Sequence, residues 1–256
     1  MASVFLNQLN WGVGPLHTRR LTVDVDDVAR LRSFFKDQAF DPVQFAVLCE
    51  YAGAHGIMAS LLPGGGGLQQ RDVELIKQVH QSFFNLHLPL DNEHCKLALS
   101  LKPDMVTFVQ TSKAHPAPAP LEPEFILTAL PEVLPNFQAN NIAVAVYISP
   151  SIATLKELTK VHIDYVEFDC NGLALAADTN EELVALDTLR SAVFAAAKLG
   201  LGVNVFGAIE YEHLPALAAI GQLEDVTMGR SLLRRALQVG IDRAVQEALR
   251  GLNAAR

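Results

Sequence analysis

The residues of this 256-residue chain that can exchange protons, hold anions or ligate metal gather at the ends of short apolar runs. Two runs are the most informative: Tyr165-Val166-Glu167-Phe168-Asp169-Cys170-Asn171-Gly172 and Gly202-Val203-Asn204-Val205-Phe206-Gly207. Each reads as a buried parallel strand whose last inward positions are polar. Strand alternation sends Val166 and Phe168 to one face and Glu167 and Asp169 to the other. Interior carboxylates are costly unless they pair, bind a ligand or line an open mouth. The same parity applied along the chain predicts an inward set of Asp24, Asp26, Ser60, Asn85, His87, Thr107, Glu167, Asp169 and Asn204. One imidazole among carboxylates makes an acid/base group, which nominates Glu167, His87 and Asp169 as catalytic residues. The same three would be the ligands of a divalent metal, the second chemistry this mixture supports.

A different chemistry is offered by Gly229-Arg230-Ser231, which follows the run 225–228 and opens a helical pattern. Glycine lets backbone N–H groups approach an anion, and a helix start beside an arginine favours negative charge. With Gly207, Asp24, Asp26, Ser60, Asn85 and Asn204, these three complete the predicted ligand-binding set. No strand ends in a lysine placed for a Schiff base, so a class I aldolase mechanism has no nucleophile here, and no dinucleotide-type G-x-G-x-x-G follows a strand; no cofactor is expected beyond a possible divalent metal. Cys170 sits beside Asp169, which raises a thiol's pKa, and reads as structural. Arg32 reads as a salt-bridge partner of Asp26 or Asp27, and Arg234-Arg235 as a solvated helix face or a subunit contact.

Positioning such a set takes eight strands, and eight β-prone runs are present: 21–26, 56–61, 84–88, 104–109, 142–148, 163–169, 201–206 and 225–228. Helical patterns lie between them. Asp41-Pro42 is an N-cap with proline at the first helical position, ahead of a helix that stops near Gly53. Arg71 to Phe83 repeats helical spacing through Val73, Ile76, Val79 and Phe83, and the alanine-rich stretch from Glu181 to Leu199 reads as a well-buried helix. Strand and helix repeated eight times in this length predict a closed (β/α)8 barrel spanning 21–256, preceded by an N-terminal extension, 1–20. Two segments break the alternation. Pro63 and the four glycines after it read as a mobile loop, and Ala114 to Leu121 as a stiff polyproline-like connection leading into an additional helix near 123–139.

Composition narrows the function classes. Half of the residues are hydrophobic and the net charge is −8, without a Lys/Arg cluster carrying aromatics, which speaks against nucleic acid as a partner. Three dispersed cysteines suggest neither a disulfide framework nor a CxxC metal site. No run approaches the ~18 apolar residues of a membrane span, so the expectation is a soluble cytoplasmic protein that does not engage a membrane.

From Leu21 onward the chain resembles the pyridoxine 5′-phosphate synthase family. Val23-Asp-Val-Asp-Asp-Val-Ala-Arg-Leu-Arg32 stands where the family has V-N-x-D-H-x-A-T-x-R. Asp41-Pro-Val-Gln-Phe-Ala, Ala52-Gly-Ala-His-Gly-Ile-Met-Ala-Ser60, Arg71-Asp72-Val73, Asn85-Leu86, Lys102-Pro103, Val166-Glu167, Val203-Asn204 and Met228-Gly229 continue the likeness in order. The resemblance implies a (β/α)8 barrel, assembly as an octamer, and condensation of 1-deoxy-xylulose 5-phosphate with 3-amino-1-hydroxyacetone 1-phosphate. It also implies departures. Ser60 stands for the family's strand-two histidine, and glycines for the basic closing loop after it. His87 stands for the strand-three glutamate, Asp169-Cys170-Asn171 for H-T-G, Phe206-Gly207-Ala208 for G-H-G, Asp27 for a histidine, and Arg230 for the histidine of the last G-H.

Three functions are therefore in play. The first is a diverged barrel that binds a small phosphorylated or anionic metabolite and has lost most or all of the family's condensation. The second is an active synthase with substituted site residues. The third is a catalytically silent binding or assembly paralogue.

Overall fold

The computed structural model describes residues 19–64, 67–112 and 115–253. The predicted N-terminal extension lies almost wholly outside these residues, as do two of the loop glycines, Gly65 and Gly66. The apolar runs form strands β1 (Arg20–Asp24), β2 (Gly56–Ser60), β3 (Phe83–Pro89), β4 (Met105–Ser112), β6 (Ala143–Ile148), β7 (Tyr165–Asp169), β8 (Gly202–Phe206) and β9 (Asp225–Met228). All eight pair in parallel, β1 with β2 and β9, and the circle closes through β3 and β4, so the fold is a (β/α)8 barrel. The helices are α1 (Asp26–Phe35), α2 (Pro42–Tyr51), α3 (Gln70–Val79), α4 (Asn92–Leu101), α5 (Pro123–Ala139), α6 (Ile152–Leu158), α7 (Asn171–Leu175), α8 (Thr179–Lys198), α9 (Leu214–Ala218), α10 (Arg230–Val239) and α11 (Ile241–Asn253).

Local chemistry explains several boundaries. Asp41 caps α2 by accepting from the Val43 N–H, with Pro42 at the first helical position. Asp178 caps α8 in the same way. The expected polyproline-like connection is instead an antiparallel strand, β5 (His115–Ala119), paired back onto β4. Its prolines, Pro116 and Pro118, alternate with residues that keep an N–H, and the residues in register with β4 are His115 and Ala119, on either side of them. The pattern from Arg71 does not reach Phe83: α3 stops at Val79, and Phe83 starts β3 in register with Gly56. Helix α8 buries one face, through Leu189, Ala192, Val193 and Ala196, while Leu183, Val184 and Phe194 are exposed, so it is less buried than its alanine content suggests. Arg32 joins α1 to α3 with two hydrogen bonds to Asp72, of 2.8 and 2.5 Å, and does not pair with Asp26 or Asp27. Those carboxylates take Arg30, which lies four and three residues after them on the same helix face.

Inside the barrel the strands carry three successive layers. Phe83, Met105, Ala145 and Tyr165 make an apolar floor. Two residues further along the same strands come Asn85, Thr107 and Glu167, with Asn204 on β8, all buried. Met58, Val109, Tyr147 and Phe206 form an apolar roof. The outward residues Val166, Phe168, Val203 and Val205 are fully buried in the continuous core under the helices. Gly202 gives the Tyr165 ring its place in the floor, since a Cβ there would come within 2.1 Å of the ring. Gly202→Ala should lower the unfolding free energy by about 1–3 kcal/mol, the usual range for overpacking, as read by urea denaturation; an unchanged midpoint would contradict this packing.

Candidate functional site

The polar layer centres on His87 and Glu167, two residues that face each other from opposite parts of the barrel. His87 Nε2 lies 2.9 Å from Glu167 Oε2, and both side chains are fully excluded from solvent. The contact is close but lacks hydrogen-bond alignment: among the described residues, both Glu167 oxygens, His87 Nδ1 and Asn204 Oδ1 are buried without a hydrogen-bond partner. Unsatisfied polar atoms of this kind are expensive and uncommon in a folded protein. Asn85 approaches His87 Nε2 to 3.4 Å through its amide nitrogen, and Thr107 donates to Asn85 Oδ1 at 2.9 Å. A carboxyl and an imidazole at this distance can pass a proton between them or to a bound molecule.

Aromatic rings close this layer from above. Phe206 meets the His87 ring edge-on at 5.1 Å between centroids and the Tyr147 ring at 5.5 Å. The position of Phe206 follows from the turn after it. Gly207 has a φ of 136°, a conformation that side chains disfavour, and Asn171 Oδ1 accepts from the Ala208 N–H at 3.0 Å. The Cys170 N–H donates to the Phe206 carbonyl at 2.8 Å. Gly207 therefore shapes the wall next to the site. The Cys170 thiol is buried, and burial followed by Asp169 holds its pKa well above the usual range, in keeping with a structural role.

Asp169 does not join the central pair. It accepts from the Tyr147 hydroxyl at 2.7 Å and from the Asn171 N–H at 2.9 Å. Burial and this carboxylate push the Tyr147 phenol far up, so Tyr147 stays a donor at ordinary pH. Among the described residues no group of three or more His, Cys, Asp and Glu side chains is placed to hold a metal ion. His87, Glu167 and Asp169 are thus divided between two clusters.

The remaining predicted residues meet at the carboxyl end of β1. Asp24 Oδ1 accepts from the Asp26 N–H, and Asp26 Oδ1 from the Ser60 N–H, each at 2.7 Å. Asp26 begins α1 and is not a strand residue, because this turn redirects the chain after Asp24. Burial raises the pKa of both carboxyls; Asp26 raises Asp24 further, and Arg30 moderates Asp26. Gly229 packs directly on Asp24. Arg230 is 78% exposed, with its Nε donating to Asp27 Oδ2 at 3.1 Å, and the Ser231 hydroxyl donates to the Ile209 carbonyl at 2.5 Å. Further round the rim, Arg234 pairs with Glu210 and Arg235 with Glu247, within the chain.

Sequence reasoning overlooked Tyr147 and Arg30. Tyr147 shares the inward parity of Ala143 and Ala145 and was discoverable from it. Arg30 follows Asp26 and Asp27 at helical spacing.

A protein-family model described as pyridoxal phosphate biosynthesis protein PdxJ matches residues 21–254, nearly the whole barrel. The chain belongs to the PdxJ family. Pyridoxine 5′-phosphate synthase of Citrifermentans bemidjiense is 34% identical over 229 residues, covering 89% of this chain and 96% of that protein. The enzyme of the same name from Geobacter metallireducens is 33% identical with the same coverage. Among solved structures, thiamine phosphate pyrophosphorylase from Pyrococcus furiosus superposes with a TM-score of 0.60 at 14% identity, over 93% of this chain and 98% of that one, a likeness of fold alone. PdxJ membership agrees with the barrel and with the order of motifs along it. No helix among the described residues is long and apolar enough to cross a membrane.

Proposed function

We propose that this PdxJ-family barrel acts on a small phosphorylated or anionic metabolite held at the carboxyl-terminal mouth, with Glu167 and His87 as its acid/base pair and the family's condensation lost or very weak. The observation that carries this reading is the pair itself: two titratable side chains 2.9 Å apart and fully buried, with no hydrogen-bond donor to either carboxylate oxygen among the described residues. A purely structural polar layer would satisfy those atoms. Asn204 and Asn85 flank the pair and would orient a ligand's hydroxyl or amine. Phe206 and Tyr147 keep water away from it, which strengthens electrostatic interactions inside. Gly229, Arg230 and Ser231 form the corner for the ligand's anionic end, Arg230 being free to swing from Asp27 to an incoming oxyanion because it is exposed. Relatives named pyridoxine 5′-phosphate synthase support a phosphorylated substrate class.

Against the condensation stand the residues themselves. Ser60, Asp27, Asp169 and Gly207 offer no imidazole where the family resemblance implies one, and the only imidazole in the polar layer, among the described residues, is His87. Each acid or base removed from such a reaction typically costs ~10²–10⁴ in rate. The reading is tested by titrating the protein with 1-deoxy-xylulose 5-phosphate while following nitrogen-15 signals of the imidazole rings. Saturable shifts of the His87 signals, abolished in Glu167→Gln, are expected. Saturable binding that leaves the His87 ring unmoved would place the ligand elsewhere and overturn the reading.

A further inference from the structure

We infer that Asp24 decides which anions the corner between β9 and α10 accepts, refusing a doubly charged oxyanion while its carboxyl is ionised and admitting one when that carboxyl is neutral. This rests on the proposed use of the corner for the ligand's anionic end. Two independent features meet there. Helix α10 is ten residues long and has Gly229 as its N-cap, without a side-chain cap for its first backbone N–H groups. Asp24, 8% exposed, points its second carboxyl oxygen into the same place: a Cβ on Gly229 would come 2.4 Å from Asp24 Oδ2. That oxygen has no hydrogen-bond partner among the described residues, whereas Oδ1 takes the Asp26 N–H.

Asp24 therefore lines the corner beside Gly229, where its second oxygen would face a bound anion. The charges around it come from both packed elements. From α1, Asp26, Asp27 and Arg30 face it, with Arg30 engaged by both aspartates. From α10, Arg230 reaches Asp27, and from β3, His87 acts on Asp26. Three carboxyl groups meet two guanidinium groups, so with all carboxyls ionised the corner is negative before any ligand arrives. Bringing in a dianion then adds like-charge repulsion at short range in a poorly solvated place. A neutral carboxyl at Asp24 removes that repulsion and adds an O–H donor. Burial, with Asp26 next, raises the Asp24 pKa well above the usual carboxylate range, so its neutral form persists to higher pH than that of an ordinary carboxyl.

Sulfate is the probe, because it keeps its double charge where carboxyls titrate. Its affinity is measured by calorimetry at about pH 5 and about pH 8 for the wild-type protein, Asp24→Asn and Asp27→Asn. The wild type should bind sulfate at least about tenfold more weakly at the higher pH, Asp24→Asn equally well at both, and Asp27→Asn with the wild-type ratio although Arg230 is released. The amide retains the acceptor for the Asp26 N–H; Asp24→Ser makes the same comparison if the amide variant does not fold. A pH ratio that persists in the Asp24 variants, or that disappears in Asp27→Asn instead, would overturn the assignment. Equal wild-type binding at both pH values would end the role of Asp24 and leave the anion corner standing. Absence of binding in every variant and condition would remove the corner itself.

Discussion

His87→Ala should destabilise the fold by about 3–5 kcal/mol, the cost of leaving a buried ionisable group without its partner, whereas Glu167→Gln should be neutral or stabilising. The asymmetry follows from the surroundings of the pair. Among the described residues Glu167 receives no hydrogen bond at either oxygen, and His87 Nε2 lies 2.9 Å from its Oε2. Truncating the imidazole removes that contact and opens a void beside Phe206, whose ring rests on His87. An amide at 167 removes the ionisable group while keeping its shape. Equilibrium urea unfolding of the two single variants and the double variant gives both effects and their coupling. A loss below about 1 kcal/mol in His87→Ala, or no coupling between the two, would show that the polar layer is satisfied some other way. A stabilised Glu167→Gln protein is the behaviour of a site that trades stability for chemistry.

The barrel was legible because parallel strands covered on both faces read as short apolar runs, and all eight runs became strands. The polar layer was legible for a second reason: Glu167, Asn204, Asn85, His87 and Thr107 interrupt those runs at inward parity. What parity cannot supply is contact between strands that are not neighbours. His87 on β3 meets Glu167 on β7 only because the sheet closes, and Asp169, with the same parity as Glu167, is drawn instead to Tyr147 on β6. Tyr147 carried no warning, since the run 142–148 is apolar throughout. The turn after β1 was misread for a local reason. Asp24 and Asp26 alternate as strand residues do, yet the Asp24 carboxyl accepts from the Asp26 N–H, turning the chain into α1. Phe83 and Arg32 show the same limit: helical spacing continued through Phe83, and nearness in sequence suggested Asp26 or Asp27 for Arg32, but barrel closure and the α1 to α3 packing decided otherwise.

The second large effect concerns the condensation. Joining two phosphorylated substrates demands several proton transfers and room for both molecules at once, and under the proposed reading this site supplies less of each. Among the described residues the polar layer presents one imidazole, where the family resemblance implies several, while Phe206 and Tyr147 pack above the Glu167 and His87 pair. Glycines follow Pro63 where the family resemblance implies a basic closing loop, so a charged lid is lacking in the sequence as well. Losses at residues that act together do not multiply, but one such loss already sets a floor of ~10² in rate. The decisive measurement places this protein beside a histidine-complete PdxJ relative, each with 1-deoxy-xylulose 5-phosphate and 3-amino-1-hydroxyacetone 1-phosphate, and compares the rates of pyridoxine 5′-phosphate formation. A rate at least ~10²-fold below the relative's, or none, is the expected result; turnover within about tenfold of the relative would mean that the substituted residues sustain the family reaction, and would contradict the reading of a diverged site.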